Sequence, residues 1–198
     1  FVTSTVNKEI MDKLPNLKLI ACRSTGFNNV DLAAASERGI TVVNVPTYGE
    51  VTVAEYTFAL LLSLSRKIPT IIKSSSSNIL PNELNGWDLS DKTIGVIGTG
   101  HIGQKVIAIA NGFGMKVIAY DKFPNEKLKQ NSNFEYTSLD DLLTTSDIVT
   151  LHVPYFAENN HLLGKEQLES MKKGSYLVNT ARGELVDTKA LVDLLQSN

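Results

Sequence analysis

From Thr93 onward, short apolar runs and amphipathic stretches alternate at regular intervals. The runs at 93–97, 116–120, 147–151 and 175–179, with a shorter one near 134–136, have the length and apolar density of strands buried on both faces. Between them the spacing is helical. One helix is predicted from about His101 to Gly112, and others start at Ser138 and Gly164. Alternating strands and helices predict an α/β fold with a doubly wound parallel sheet. Upstream, the pattern gives a helix around Lys8–Leu14, a strand over Leu17–Ala21, and a helix over Asp31–Arg38 with Gly39 as its stop. A strand follows from Ile40 to Val45, ended by Pro46. Val51 to about Ile72 predicts one long helix that buries Leu60, Leu61, Leu62 and Leu64, and Ser74 to Trp87 reads as a polar connector. Ala190–Leu195 is an amphipathic run without a stop signal, so the chain is expected to end within a helix. Phe1-Val2 is not a natural start, which predicts a beginning in mid-protein.

In open parallel sheets, ligands sit beyond the carboxyl ends of the strands. Four chemically distinctive segments fall there: Gly98–Gly103, Asp121, His152–Pro154 and Thr180–Gly183. The first is Gly98-x-Gly100-x-x-Gly103, placed between a strand and a helix, with Asp121 closing the next strand. This is the context a dinucleotide fingerprint requires. Gly98 permits a sharp turn, Gly100 lets backbone approach a pyrophosphate, and Gly103 allows the helix to pack closely on the sheet. The helix start aims free N–H groups and a positive dipole end at the phosphates. Asp121 is expected to accept hydrogen bonds from both adenosine ribose hydroxyls and to repel a 2′-phosphate, which predicts NAD over NADP. Arg182, at the end of the last strand, offers a planar fork matched to a carboxylate.

Composition narrows the function. The 198 residues carry 19 basic and 21 acidic side chains, a net charge of −2, with no basic tract. Nucleic-acid binding therefore lacks an electrostatic footprint. Cys22 is the single cysteine, which excludes an internal disulfide and suggests a reducing, cytoplasmic setting. The longest apolar run, Phe58–Leu62, is too short to span a membrane, and no signal peptide is expected. No metal site is expected either.

Several segments resemble the D-isomer-specific 2-hydroxyacid dehydrogenase family. They are Thr25-Gly26-Phe27-Asn28-Asn29-Val30-Asp31-Leu32, Glu37-Arg38-Gly39-Ile40 with Val42, Asn44 and Pro46, and Val53-Ala54-Glu55. The glycine motif with Ile102, Leu151-His152-Val153-Pro154 and Asn179-Thr180-Ala181-Arg182-Gly183 complete the set, in unbroken order over nearly the whole chain. The resemblance implies a Rossmann domain over 51–198, incomplete at its C-terminus, and part of a flavodoxin-like substrate domain over 1–50. It also implies reversible hydride transfer between NAD and a small 2-hydroxy or 2-oxo acid. Arg182 would clamp the substrate. Gly98, Gly100, His101, Ile102, Gly103, Asp121, Val153, Pro154, Asn159, Thr180 and Ala181 would bind the cofactor. Gly26 and Phe27, in the Thr25–Asn28 turn, would hold the carboxylate. Tyr48 matches a pocket tyrosine of the D-lactate branch, which the motifs resemble most. Val51 and Thr52 depart from the asparagine or serine often found there. The family pairs subunits through the cofactor domain, and the leucine-rich 53–65 helix is consistent with a homodimer interface or equally with a buried core helix.

Reducing a ketone also requires a proton. In the family a histidine supplies it, supported by a glutamate, and both are expected beyond Asn198. Of the histidines present, His152 reads as a packing residue, His101 contributes its backbone, and His161 lies in a polar loop. Glu55 reads as an acid opening a helix. A competing reading is an NAD-sensing, corepressor-like binding protein of the same fold; a third is a piece that is catalytically incompetent alone.

Overall fold

The computed structural model describes residues 4–74, 84–131 and 133–197. They form two compact units, Phe1–Gly49 and Glu50–Asn198.

In the first unit, α1 (Lys8–Asp12) and α2 (Leu32–Glu37) accompany two parallel strands, β1 (Leu19–Ala21) and β2 (Thr41–Val43). Both strands are shorter than their apolar runs. Asp31 caps α2 by accepting the Ala34 N–H at 2.9 Å, and Gly39 ends it at φ +62°. Met11, Ile20, Cys22, Val30, Ala34, Ala35 and Ile40 form the core.

The second unit begins with α3 (Glu50–Ser65) and α4 (Ile68–Ser74). The single long helix expected here is broken, because Pro69 cannot donate the N–H that Ser65 O would accept in a continuous helix. Trp87 N–H takes that oxygen at 3.0 Å, and Lys67 turns the chain at φ +54°. Of the leucines expected to be buried, Leu61 is fully enclosed, whereas Leu64 is 46% exposed. Glu50, not Glu55, lies in the first turn of α3. Most of the expected polar connector, 75–83, lies outside the described residues.

Strands β3 (Thr93–Ile97), β4 (Lys116–Tyr120), β5 (Glu135–Tyr136), β6 (Ile148–Leu151) and β7 (Tyr176–Asn179) form one parallel sheet. Its order is β5-β4-β3-β6-β7, so the winding reverses between β3 and β6. Alternate residues feed two cores. Ile94 and Val96 of β3 join Phe58 and Leu61 of α3 and Val106 and Ile107 of α5 (His101–Gly112). Ile97, Val149 and Leu151 face Leu142 of α7 (Leu139–Thr145) and Leu168 of α8 (Lys165–Ser170) on the other side. Full burial of each such side chain contributes about 2 kcal/mol. Ser138 caps α7, accepting the Asp141 N–H at 3.1 Å, and Gly164 is the N-cap of α8, as the pattern predicted. The short α6 (Glu126–Asn131) lies between β4 and β5, where helical spacing was expected without a named start, and α9 (Thr188–Ser197) carries the expected amphipathic run.

Candidate functional site

The carboxyl edge of the sheet is one row of residues. Tyr120, Ile97, Leu151 and Asn179 are register partners across β4, β3, β6 and β7. Asp121, Gly98, His152 and Thr180 therefore leave the sheet at the same level, flanking the point where the winding reverses.

Gly98 donates its N–H to Tyr120 O at 2.8 Å and sits at φ +99°, a conformation that disfavours any side chain. A Cβ there would also lie 2.8 Å from both the His152 carbonyl carbon and Val153 Cγ1. A Cβ on Gly103 would run into Gly98 O, because α5 is pressed against the turn. Gly100 is the opposite case: its Cβ would meet no protein atom within 4 Å. Gly100 is also the N-cap of α5 and has no side chain to occupy the first-turn amides of His101, Ile102 and Gly103. Two packed glycines around an open one at a helix N-terminus fit a pyrophosphate. The His101 imidazole points its Nδ1 at Glu50 Oε1, 3.6 Å away, and that oxygen is buried without a hydrogen-bond partner.

Asp121 is tied to the glycine turn. Its Oδ2 accepts the Thr99 N–H at 2.7 Å and the Thr99 hydroxyl at 2.9 Å, and its Oδ1 accepts the Phe123 N–H at 2.9 Å. Thr99 in turn lies 2.9 Å from the Tyr136 hydroxyl.

Beyond β6, His152 is 2.9 Å from Thr150 Oγ1, and burial pushes its pKa down to about 4. The ring is thus neutral at physiological pH and poorly suited to donate a proton there. Val153 packs on Gly98, whereas Pro154 is exposed. Asn159 closes the loop that follows: its amide donates to Pro154 O at 2.8 Å and accepts the Phe156 N–H at 2.7 Å.

Beyond β7, Asn179 shapes the turn that presents Arg182. Its amide donates to Arg182 O at 2.8 Å and accepts the Ala181 N–H at 3.0 Å. The half-buried Arg182 guanidinium donates to Ala181 O at 2.9 Å. Asp187 caps α9, accepting the Lys189 and Ala190 amides at 3.0 and 3.1 Å. Thr57 gives its hydroxyl proton to Val53 O at 2.9 Å, so the Thr180 hydroxyl, 3.1 Å away, donates to Thr57 and ties the exit of β7 to α3.

Gly26, Phe27 and Tyr48 belong to the first unit. The Ser24 hydroxyl donates to Gly26 O at 2.7 Å, and the Asn44 amide donates to Thr25 O at 2.8 Å, which staples the turn to the exit of β2. Phe27 is 37% and Tyr48 63% exposed, so both rings are accessible.

Residues 58–198 match the family model for the D-isomer specific 2-hydroxyacid dehydrogenase, NAD binding domain. The chain belongs to the D-isomer specific 2-hydroxyacid dehydrogenase family. Its relatives include an aromatic 2-oxoacid reductase of Clostridium sporogenes, 46% identical over 98% of this chain and 59% of that protein. The D-lactate dehydrogenase of Escherichia coli is 38% identical over 100% of this chain and 60% of that one. Among solved structures, the D-lactate dehydrogenase of Aquifex aeolicus, complexed with NAD and lactic acid, superimposes with a TM-score of 0.92 at 42% identity. It covers 100% of this chain and 60% of that one. The chain thus spans about three fifths of the length of the relatives it matches.

The matched segment contains the whole row from Asp121 to Thr180, the glycine turn and Arg182, so this family's NAD-binding domain and the geometric cradle coincide. Sequence reasoning named the glycines and the acid of that domain but gave no role to Thr99, Tyr136, Thr57 or the Asn179 side chain. Thr99 carried a signal, since it sits inside the glycine motif. Tyr136 carried none, because only the pairing of β5 with β4 brings it there.

Proposed function

We propose that the protein is an NAD-dependent oxidoreductase that interconverts a small D-2-hydroxy acid and its 2-oxo acid, with D-lactate and pyruvate as the pair. One observation carries this reading: Gly98 and Thr180 follow directly on the last residues of β3 and β7, two strands apart at one edge of the sheet. Two strand spacings are about 10 Å, a span that suits a nicotinamide and a small acid between the phosphate turn and the arginine. Bound NAD would supply or accept the hydride. Gly98, Gly100, His101, Ile102 and Gly103 would hold the pyrophosphate and Asp121 the ribose; Val153, Pro154, Asn159, Thr180 and Ala181 would line the nicotinamide side. Arg182 would clamp the carboxylate and polarise the keto oxygen. In the first unit, the Gly26 and Phe27 N–H groups would bind a carboxylate, and Tyr48 would contribute to acid recognition.

The 46% identity to an aromatic 2-oxoacid reductase, against 38% to a D-lactate dehydrogenase, favours a second substrate class with a larger side chain. Steady-state NADH oxidation with pyruvate and with phenylpyruvate separates the two. A higher kcat/KM on pyruvate supports the small-acid reading, and a higher value on phenylpyruvate replaces it. Cofactor binding with no turnover of either would favour a sensor. The exposed Tyr56, Leu64, Ile68, Ile71 and Ile72 of α3 and α4 support a homodimer through this unit. The buried free thiol of Cys22 suits a reducing, cytoplasmic setting.

A further inference from the structure

The hydrogen bonds behind Asp121 have a fixed direction. An ionised carboxylate only accepts, so the single proton of the Thr99 hydroxyl goes to Asp121 Oδ2, 2.9 Å away. The Thr99 oxygen is then the acceptor toward Tyr136, and the Tyr136 hydroxyl, at 2.9 Å, donates to it. The Tyr136 oxygen accepts the Asn125 N–H at 3.1 Å. The chain therefore runs from Asn125 through Tyr136 and Thr99 to Asp121. Tyr136 is placed by packing: β5 pairs it with Ala119, and its ring meets Phe134 edge-on at 4.9 Å.

Two consequences follow for a ribose at Asp121. Oδ2 already takes two donors, whereas Oδ1 takes only the Phe123 N–H. With about two acceptor sites on each carboxylate oxygen, Oδ1 is the atom left to meet a ribose hydroxyl. The Tyr136 hydroxyl also holds Asn125, at the end of the loop that carries Lys122, whose ammonium lies 5.7 Å from the Phe123 ring centre.

We propose that Tyr136 is a positioning residue for cofactor selection. Through Thr99 it fixes Asp121 so that Oδ1 faces the ribose 2′-hydroxyl, and through Asn125 it keeps Lys122 away from a 2′-phosphate. The inference rests on the NAD cradle described above.

The test is equilibrium binding of NADH and NADPH, read by fluorescence, to the intact protein and to Tyr136→Phe, Thr99→Val and the double variant, with the Tm of each. Tyr136→Phe is expected to weaken NADH about fivefold while NADPH affinity holds or rises, so the preference narrows. The double variant is expected to lose less NADH affinity than the product of the two single losses, since both act through one chain. If Tyr136→Phe keeps the wild-type ratio of NADH to NADPH affinity, whether both are unchanged or both equally weakened, the proposal is overturned. Should Tyr136→Phe fail to fold, Thr99→Ser against Thr99→Val decides. Serine is expected to keep the ratio and valine to narrow it, and a valine variant with the wild-type ratio overturns the proposal. A wild-type protein that binds no NADH overturns the cradle itself, a result distinct from an unchanged ratio.

Discussion

Burial sets the charge of His152, and that has a consequence for stability. Its folded pKa of about 4 lies below the ordinary histidine value of 6.5. Between those values the unfolded chain binds the proton and the folded one does not, so stability falls as pH drops from about 6.5 to about 4 and then levels off. The full effect is about 3 kcal/mol. Urea midpoints at pH 7.5 and 4.5 for the wild type and His152→Gln check it: the variant should lose much less stability on acidification. An equal loss in both would show that His152 is not buried as described. Of the residues around the site, Asp121 and Arg182 were legible in the sequence because each follows an apolar run, which fixes its place at the sheet edge. Their supports were not. Thr99 reaches Asp121 across 22 residues from inside the glycine motif, and Tyr136 reaches Thr99 across 37, a contact of which sequence spacing carries no trace.

At the scale of elements, the glycine turn separates packing from binding. Gly103→Ala forces a methyl group against Gly98 O, with an expected cost of about 3 kcal/mol and a clear drop in Tm. Gly100→Ala meets no protein atom, so its Tm should stay within about 2 °C of wild type. Its methyl group would occupy the phosphate position, and NADH affinity should fall at least about tenfold. Thermal melts and NADH titrations of both variants distinguish these outcomes; a Gly100→Ala protein with wild-type affinity would remove the pyrophosphate from this turn. The central strands β3 and β6 were legible because they are buried on both faces and so read as almost unbroken apolar runs, whereas β4 and β7 are only partly buried and were read from the apolar residues they keep. The break between α3 and α4 was not read, although Pro69 announced it. Its partner is the Trp87 N–H, 22 residues beyond Ser65. Gly86 lies beside the same carbonyl, and a Cβ there would collide with Ser65 O. Gly86→Ala should therefore destabilise the protein by about 2 kcal/mol, measurable by urea denaturation, and an unchanged midpoint would contradict that packing.

For the whole molecule, the chain divides into two compact units between Gly49 and Glu50. Substrate choice was not legible at this scale, since the relatives include both a D-lactate dehydrogenase and an aromatic 2-oxoacid reductase. The sheet brings the turn that carries Arg182 to the same edge as the glycine turn, and the proposed carboxylate clamp rests on that juxtaposition. The direct measurement is kcat/KM for NADH-dependent reduction of a 2-oxo acid by the intact protein and by Arg182→Lys, with the NADH Kd taken in parallel. Lysine keeps the charge but not the planar fork, so kcat/KM should fall about a hundredfold or more while the NADH Kd stays within about twofold. An Arg182→Lys protein with wild-type kcat/KM would contradict the assignment of this arginine to the substrate.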